Sequence, residues 1–267
     1  MTRQPAVAGQ FYPGSDQKLR AVLAQLIPEN ASKTVVKGII SPHAGYVYSG
    51  ALAGLLYSRV TIPDTVLVIG PNHHGAGAAA ALYPDGHWLT PLGQISINSR
   101  LNALLLQHGP YLQSDDIAHR NEHSLEVQIP FMQYLRPDVT ICALCIGHGD
   151  YAPLRDIGHG IAAAIREYGT EVLIVASSDM THYESAESAR NKDQLALERV
   201  LALDGKGLLE VCRQRKITMC GVVPAAVMIE ATLQSGAGQA ELVAYGTSGD
   251  VTGDNQQVVG YAAVTVR

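Results

Sequence analysis

Residues 65–75, TVLVIGPNHHG, place an unbroken apolar run directly before a turn that carries two histidines. A continuous run of aliphatic residues is typical of a strand that is buried on both faces of a sheet. Pro71 and Gly75 then interrupt regular structure, so His73 and His74 are predicted to lie in a loop at the carboxyl end of that strand. The stretch therefore predicts a central sheet strand with chemically active side chains at its end.

Similar strand-like runs alternate with helical patterns along the rest of the chain. Strands are predicted at residues 34–40, 65–69, 139–146, 171–176, 240–244 and 257–266, and helices at 49–58, 99–107, 152–168, 185–203, 208–213 and 222–233. This alternation predicts an α/β fold with a mixed or mostly parallel sheet that is flanked by helices on both faces. The Gly/Pro-punctuated segment 75–98 is predicted to be a β excursion or a loop over the site.

Composition limits the class of protein. The chain has 267 residues, of which 47% are hydrophobic, and no low-complexity linker divides it, so a single domain over residues 1–267 is predicted. The balance of 19 basic and 24 acidic residues, without a Lys/Arg-rich run, argues against a nucleic-acid partner. No segment reaches the roughly 20 apolar residues of a membrane span, so no membrane partner is expected and a cytoplasmic location is predicted.

The four cysteines do not form a disulfide framework, because they are few and unevenly spaced in a chain of this length. Cys142 and Cys145 have C-x-x-C spacing but lie inside an apolar run. On a strand, an odd spacing directs two side chains to opposite faces. These two thiols are therefore predicted to be core residues that do not chelate an ion together.

A second histidine turn repeats the pattern of the first. His43 comes three residues after the run 34–40, between Pro42 and Gly45. Imidazole binds Fe, Cu and Zn, so His43 and His73 are predicted to supply half of a metal ligand set, the alternative being histidines satisfied by backbone groups. Adjacent residues point in different directions, so His74 is expected to contact substrate or to face solvent.

The motif Ser177-Ser-Asp-Met-Thr-His182 follows another strand-like run. In sheets of this kind, ligands bind beyond the carboxyl ends of the strands, so this motif is expected to share an edge with the histidine turns. His182 is predicted to be an acid/base residue. Asp179 either orients it or serves as a helix N-cap or turn residue.

Two further motifs contribute candidate residues. Cys220 precedes Gly221 and a predicted helix, whose dipole favours a thiolate that could ligate a metal or act as a nucleophile; a buried core cysteine is the alternative. Glu122 and His123 open an amphipathic run and are assigned to the catalytic set. Glu122 either ligates the metal, fixes the tautomer of a ligand histidine, or begins a helix with no special role.

Six motifs together resemble those of the Memo family, in the same order and over essentially the whole chain. They are Ala8-Gly9-Gln-Phe11-Tyr12, Pro42-His43-Ala-Gly-Tyr46, Gly70-Pro-Asn-His73-His74, Glu122-His123-Ser124-Leu125-Glu126, Ser177-Ser178-Asp179 with His182, and Cys220-Gly221 with Pro224. The chain is similar to the prokaryotic branch, often called AmmeMemoRadiSam system protein B, which implies a functional link to a radical SAM protein. The fold of the family resembles class III extradiol dioxygenases, which use mononuclear non-haem Fe(II).

The resemblance implies that His43, His73 and Cys220 hold the metal, and that His182 stands where the dioxygenases keep their catalytic base. Those enzymes use two histidines and a glutamate, whereas this chain has Cys220 at the position of the glutamate. A thiolate is a softer ligand and is itself oxidisable, so extradiol ring cleavage is not expected. Fe(II) is the expected metal, with Cu or Zn as alternatives.

Three functions are compatible with these residues. The first is a metal-dependent redox enzyme, resembling an oxygenase, that acts on an unidentified small molecule or peptide. The second is a non-enzymatic metal-handling or peptide-binding module, because members of the Memo family are also associated with phosphopeptide binding and with iron or copper handling. The third is a zinc hydrolase with Asp179 or Glu122 as its base, because Zn accepts the same nitrogen and sulfur ligands.

Overall fold

A computed structural model describes residues 1–29 and 31–267. The strands are β1 (Thr2–Arg3), β2 (Gly38–Ser41), β3 (Thr65–Pro71), β4 (Ala80–Leu82), β5 (His87–Thr90), β6 (Gly93–Ile97), β7 (Gln113–Ser114), β8 (Thr140–Ile146), β9 (Val172–Ser177), β10 (His182–Glu184), β11 (Ala240–Thr247) and β12 (Val258–Val266). The α-helices are α1 (Asp16–Leu26), α2 (Tyr46–Ser58), α3 (Ser99–His108), α4 (Ile129–Leu135), α5 (Tyr151–Tyr168), α6 (Ala186–Leu201), α7 (Gly205–Arg215), α8 (Val222–Gln234) and α9 (Gly249–Thr252). None of the helices in the described ranges has both the length and the apolarity needed to span a bilayer.

The strands form one sheet with a parallel centre. Four parallel strands lie side by side in the order β8-β3-β9-β2. Beyond β2, the antiparallel strand β12 pairs with β10 and β11, and beyond β8 the chain adds β6, β5 and β1. The predicted α/β class with a mostly parallel sheet is therefore confirmed.

Helices cover both faces of the sheet, and each face has its own hydrophobic core. On one face, Leu154 of α5 and Val227 of α8 pack in a core that includes Cys142 of β8. On the other face, Leu56 of α2 packs in a core that includes Cys145 of the same strand. The two buried thiols thus lie on opposite faces of β8, as their spacing predicted.

The excursion predicted between residues 75 and 98 contains β4, β5 and β6, so the β alternative is confirmed. The first predicted strand begins late, because only Gly38–Ser41 joins the sheet and Thr34 forms an isolated bridge to Val60. Helix α1 was not predicted. Its buried residues include Leu19 and Leu23 in a largely polar sequence, and such a narrow apolar stripe is a weak periodic signal.

A buried ion pair ties the N-terminal segment to the middle of the chain. Arg3 Nη1 lies 2.6 Å from Glu126 Oε2, and both side chains are almost completely buried. Arg3 also donates to the backbone carbonyls of His119 and Glu122, each at 2.7 Å. Glu126 in turn accepts from the Tyr12 hydroxyl at 2.6 Å and from two backbone N–H groups of the N-terminal segment. The position of residues 119–126 therefore depends on the first residues of the chain.

His119 is a buried neutral histidine that makes the fold sensitive to acid. Its Nε2–H donates to the Ala81 carbonyl at 3.0 Å, and burial lowers the pKa of His119 to about 4. The unfolded chain binds a proton at this residue below about pH 6.5, whereas the folded chain does not until about pH 4. As the pH falls through that window, His119 should cost the folded state up to about 3 kcal/mol of stability.

The measurement compares wild type with His119→Phe, by chemical denaturation at pH 7 and pH 4.5. The variant should lose less stability between the two pH values. Burial raises the pKa of Asp179 to about 7, so its contribution to stability has the opposite pH dependence. Asp179 is present in both proteins, so this contribution cancels in the comparison. Equal pH dependence in the two proteins would show that His119 does not resist protonation.

Candidate metal centre

The candidate site lies at the carboxyl edge of the parallel strands. His43 comes two residues after β2, His73 two residues after β3, and Asp179 two residues after β9. Pro42 precedes the first of these residues, so the turn begins directly at the end of β2. These side chains line a cleft of about 640 Å³. Sheets of this type bind ligands at this edge, and the sequence prediction of a shared edge is confirmed.

Three imidazoles converge in the cleft. One ligand nitrogen from each of His43, His73 and His123 lies within 4.8 Å of the other two. The ring centroids are 5.3 Å apart for His43 and His73, 5.4 Å for His43 and His123, and 4.8 Å for the stacked pair His73 and His123. Burial lowers the pKa of His43 well below 6.5 and that of His123 to about 4. Neutral imidazoles with free lone pairs fit a metal ion.

Glu122 orients His73 through two hydrogen bonds. Its Oε1 accepts from His73 Nδ1–H at 2.8 Å, and its Oε2 accepts from the His73 backbone N–H at 2.8 Å. Burial alone would raise the pKa of Glu122, but hydrogen bonds from His73 and Ser124 hold that pKa well below its usual range. The carboxylate therefore fixes the Nδ1–H tautomer and leaves His73 Nε2 free to bind a metal. Of the roles left open for Glu122, the geometry matches tautomer control.

His43 is held from both its backbone and its ring. Its N–H donates to Asp179 Oδ1 at 2.7 Å, and its Nδ1 lies 2.9 Å from Ser177 Oγ. Its Nε2 lies 3.2 Å from Cys220 Sγ. The ring is completely enclosed on its Nδ1 side, so Nε2 is the atom that can reach a metal.

Cys220, the expected third ligand, contacts the site through its sulfur, which lies beside His43 Nε2. In the described part of the chain, the group of three mutually close ligand atoms includes His123 rather than Cys220. Burial raises the pKa of the Cys220 thiol, and its sulfur accepts from the Asp179 N–H at 3.3 Å. Cys220 also lines a neighbouring cleft of about 470 Å³ with Thr218. Metal ligation by Cys220 stays a prediction, and His123, assigned above to the catalytic set, has the geometry of a ligand.

His182 lines the cleft without joining the three imidazoles. Its Nδ1 lies 3.0 Å from the Thr218 carbonyl, which can only accept, so the proton sits on Nδ1 and Nε2 carries a lone pair. Burial lowers the pKa of His182, so the base form is present at neutral pH. Asp179, a proposed orienting carboxylate, instead accepts from the His43 backbone. Thr218 takes the orienting role because its loop passes beside the His182 ring.

Other residues of the site were missed or left open by the sequence. His74 is turned away from the cluster, with its Nε2 3.0 Å from the Asn121 carbonyl. Phe11 packs its ring 4.9 Å from that of His123 and lines the cleft. Thr218 was not predicted to orient His182, because it acts through a backbone carbonyl that every residue has. The role of His123 was hidden because the loop that carries it has no periodicity.

Comparison with known proteins shows to which family the chain belongs. The family described as Memo-like protein matches residues 3–265. A MEMO1 family protein of Methanopyrus kandleri is 40% identical over 100% of this chain and 99% of its own, and one of Aquifex aeolicus is 42% identical over 97% of each. A solved structure of an uncharacterized protein of Escherichia coli K12, with 14% identity and a TM-score of 0.49, covers 86% of this chain and 99% of its own. The chain belongs to the Memo family.

Proposed function

We propose that the chain is a mononuclear metal-dependent redox enzyme, in which His43, His73 and His123 hold the metal and His182 transfers protons. The observation that carries this proposal is the convergence of three imidazoles, with ligand nitrogens within 4.8 Å of one another, in one cleft. A fold does not need three histidines at one point for its stability. Imidazole nitrogen suits Fe, Cu and Zn, whereas Mg and Ca require oxygen ligands.

Fe(II) is the proposed ion, because the family resembles the Fe(II)-dependent class III dioxygenases. Cu accepts the same imidazoles, and metal analysis distinguishes the two. When bound, such an ion supplies Lewis-acid and redox chemistry at the floor of the cleft. In the zinc hydrolase alternative, Asp179 would have to be the base, because Glu122 is already occupied by His73 and Ser124.

The chain itself supplies the proton chemistry. His182 Nε2 carries a lone pair and faces the cleft from a ring fixed by the Thr218 carbonyl. A base so oriented can accept a proton from a bound molecule and return it later. Asp179, with a pKa raised to about 7 by burial, is a second group that can exchange a proton near neutral pH.

The lining of the cleft limits the substrate. Phe11, Tyr48, Tyr183 and Tyr261 contribute aromatic surface, and no lysine or arginine is among the described residues that line it. Recognition of a phosphate group normally uses such cations, so this lining does not favour a phosphopeptide-binding module. The proposed substrate is a small molecule or a peptide without a phosphate group. We propose a functional link to a radical SAM protein on the basis of the family resemblance. We propose a cytoplasmic location on the basis of composition.

Metal analysis of His123→Ala tests the ligand set. Protein purified without oxygen from its own host should contain about one transition-metal ion per chain, and His123→Ala should contain far less, because a site with two imidazoles binds weakly. His74→Ala is the matched control, since His74 is adjacent to a ligand but points to Asn121. Its metal content should equal that of wild type.

Three outcomes would change or refute the proposal. Wild-type metal content in His123→Ala would remove His123 from the ligand set. A metal loss in Cys220→Ser as complete as that in His43→Ala would make the thiol a direct ligand, as the sequence predicted. Absence of any transition metal from the wild-type protein would refute the metal-dependent function altogether.

A further inference from the structure

A buried hydrogen-bond network lies behind His43, on the side away from the cleft. Its centre is the hydroxyl of Ser177, which is completely buried. Ser177 Oγ lies 2.6 Å from the Ser124 carbonyl, 2.8 Å from Gln128 Nε2 and 2.9 Å from His43 Nδ1. Gln128 is also completely buried, so each of its polar atoms must find a protein partner.

The orientation of the Gln128 amide follows from its neighbours. One end of the amide lies 2.9 Å from the Pro42 carbonyl, which can only accept, so that end is the NH₂ group. The other end, Oε1, accepts from the Tyr57 hydroxyl at 3.0 Å. Gln128 must therefore donate to Ser177 Oγ and cannot accept its proton.

The single proton of the Ser177 hydroxyl then has two remaining acceptors, the Ser124 carbonyl and His43 Nδ1. If the proton pointed to His43, the oxygens of Ser177 and Ser124 would face each other at 2.6 Å without a hydrogen between them. The proton therefore points to the Ser124 carbonyl. Because the Ser177 hydroxyl donates its one proton to the Ser124 carbonyl, its oxygen can only accept a hydrogen bond from His43 Nδ1–H.

We propose that Ser177 is a positioning residue that holds His43 in its Nδ1–H tautomer, with Gln128 fixing the Ser177 hydroxyl, so that Nε2 presents its lone pair to the cleft. This inference rests on the proposed function only for its consequence, which is metal binding. The tautomer itself is a property of the metal-free chain. Ser177 would thus serve His43 as Glu122 serves His73, although one acceptor is a neutral hydroxyl and the other a carboxylate.

The contact on the other side of the ring agrees with this assignment. His43 Nε2 lies 3.2 Å from Cys220 Sγ. The Cys220 thiol can donate S–H to an unprotonated Nε2, and the Asp179 carbonyl, 3.6 Å from the sulfur, is its other acceptor. In the Nδ1–H tautomer, both ring nitrogens of His43 therefore have a hydrogen-bond partner: Nδ1–H donates to Ser177, and Nε2 can accept from Cys220.

The first test is nitrogen-15 NMR of metal-free protein labelled in its histidines. In wild type, His43 should show a protonated Nδ1 and an unprotonated Nε2. In Ser177→Ala the acceptor is gone, and a mixture of tautomers should appear. Ser177→Thr keeps the hydroxyl and should restore the wild-type pattern. Ser58→Ala is the matched control, because Ser58 is also a buried serine but its hydroxyl donates to the Leu55 carbonyl, outside the network.

The second readout is the affinity for added Fe(II) under anaerobic conditions. Loss of a hydrogen-bond partner behind a ligand histidine typically weakens metal binding by about 10- to 100-fold, and this loss is expected for Ser177→Ala but not for Ser58→Ala. A protonated Nε2 in the wild-type protein would overturn the inference, and so would unchanged tautomer and affinity in Ser177→Ala. If Ser177→Ala does not fold, the His43 tautomer in the wild-type spectrum still tests the inference. A correct tautomer in a chain that binds no metal would refute the proposed function and leave this inference intact.

Discussion

Replacing His182 by alanine should leave the metal content unchanged and lower turnover by about 10² to 10⁴, the usual contribution of a general acid or base. The ring lies in the cleft but outside the group of three imidazoles, so its loss removes a proton acceptor and no metal ligand. The measurement is oxygen uptake by the Fe(II)-loaded protein with ascorbate as reductant, together with metal analysis of the same sample.

His159→Ala is the control for this experiment, since His159 is a partly exposed histidine on α5, outside the cleft. It should match wild type in both measurements. Because burial lowers the pKa of His182 from its ordinary value of 6.5, loss of its base form should lower the wild-type rate only below about pH 6.5. If His182→Ala loses its metal as completely as His43→Ala, His182 is a ligand and the base must be another residue.

Replacing Glu126 by alanine should lower the free energy of unfolding by about 3 to 5 kcal/mol, the typical cost of leaving one charge of a buried ion pair without its partner. Arg3 would keep its charge in an interior where its side chain is only 3% exposed. The Tyr12 hydroxyl would lose its acceptor at the same time. Urea denaturation followed by circular dichroism measures the change.

The exposed ion pair between Asp16 and Arg20 provides a matched control, because both side chains are about half exposed. Asp16→Ala should change the free energy of unfolding by no more than about 1 kcal/mol. Arg3 also donates to the Glu122 carbonyl, so Glu126→Ala should weaken metal binding as well as stability. A change in Glu126→Ala as small as that in the control would show that water reaches Arg3.

The sequence predicted the parts of the molecule that depend on local pattern. The apolar run that became β3 ends where His73 begins its turn, and the same relation holds for β2 and His43. The location of the site followed, because the carboxyl ends of parallel strands share one edge. The ends of the predicted strands are therefore enough to locate the site.

What the sequence did not predict depends on long-range contacts. Arg3 and Glu126 are 123 positions apart, and no periodicity connects them. His123 lies with His43 and His73 because the loop after residue 119 is held against the N-terminal segment and, through Glu122 and Ser124, against the ends of β3 and β9. Short-range patterns cannot report such a contact, since it arises when distant segments pack.

The order of strands in the sheet also determines when the site can exist during synthesis. β2, which leads to His43, and β3, which leads to His73, are not neighbours, because β9 lies between them and pairs with both. All three imidazoles have been synthesised by residue 123, but the strand that sets the distance between two of them ends at Ser177. In a ribosome-bound chain that has not yet reached β9, the three histidines are therefore present, but nothing sets the distance between His43 and His73. If the proposed metal is bound, an ion captured at that stage would draw β2 and β3 together and block the place that β9 must enter, so metal loading would have to follow completion of the sheet.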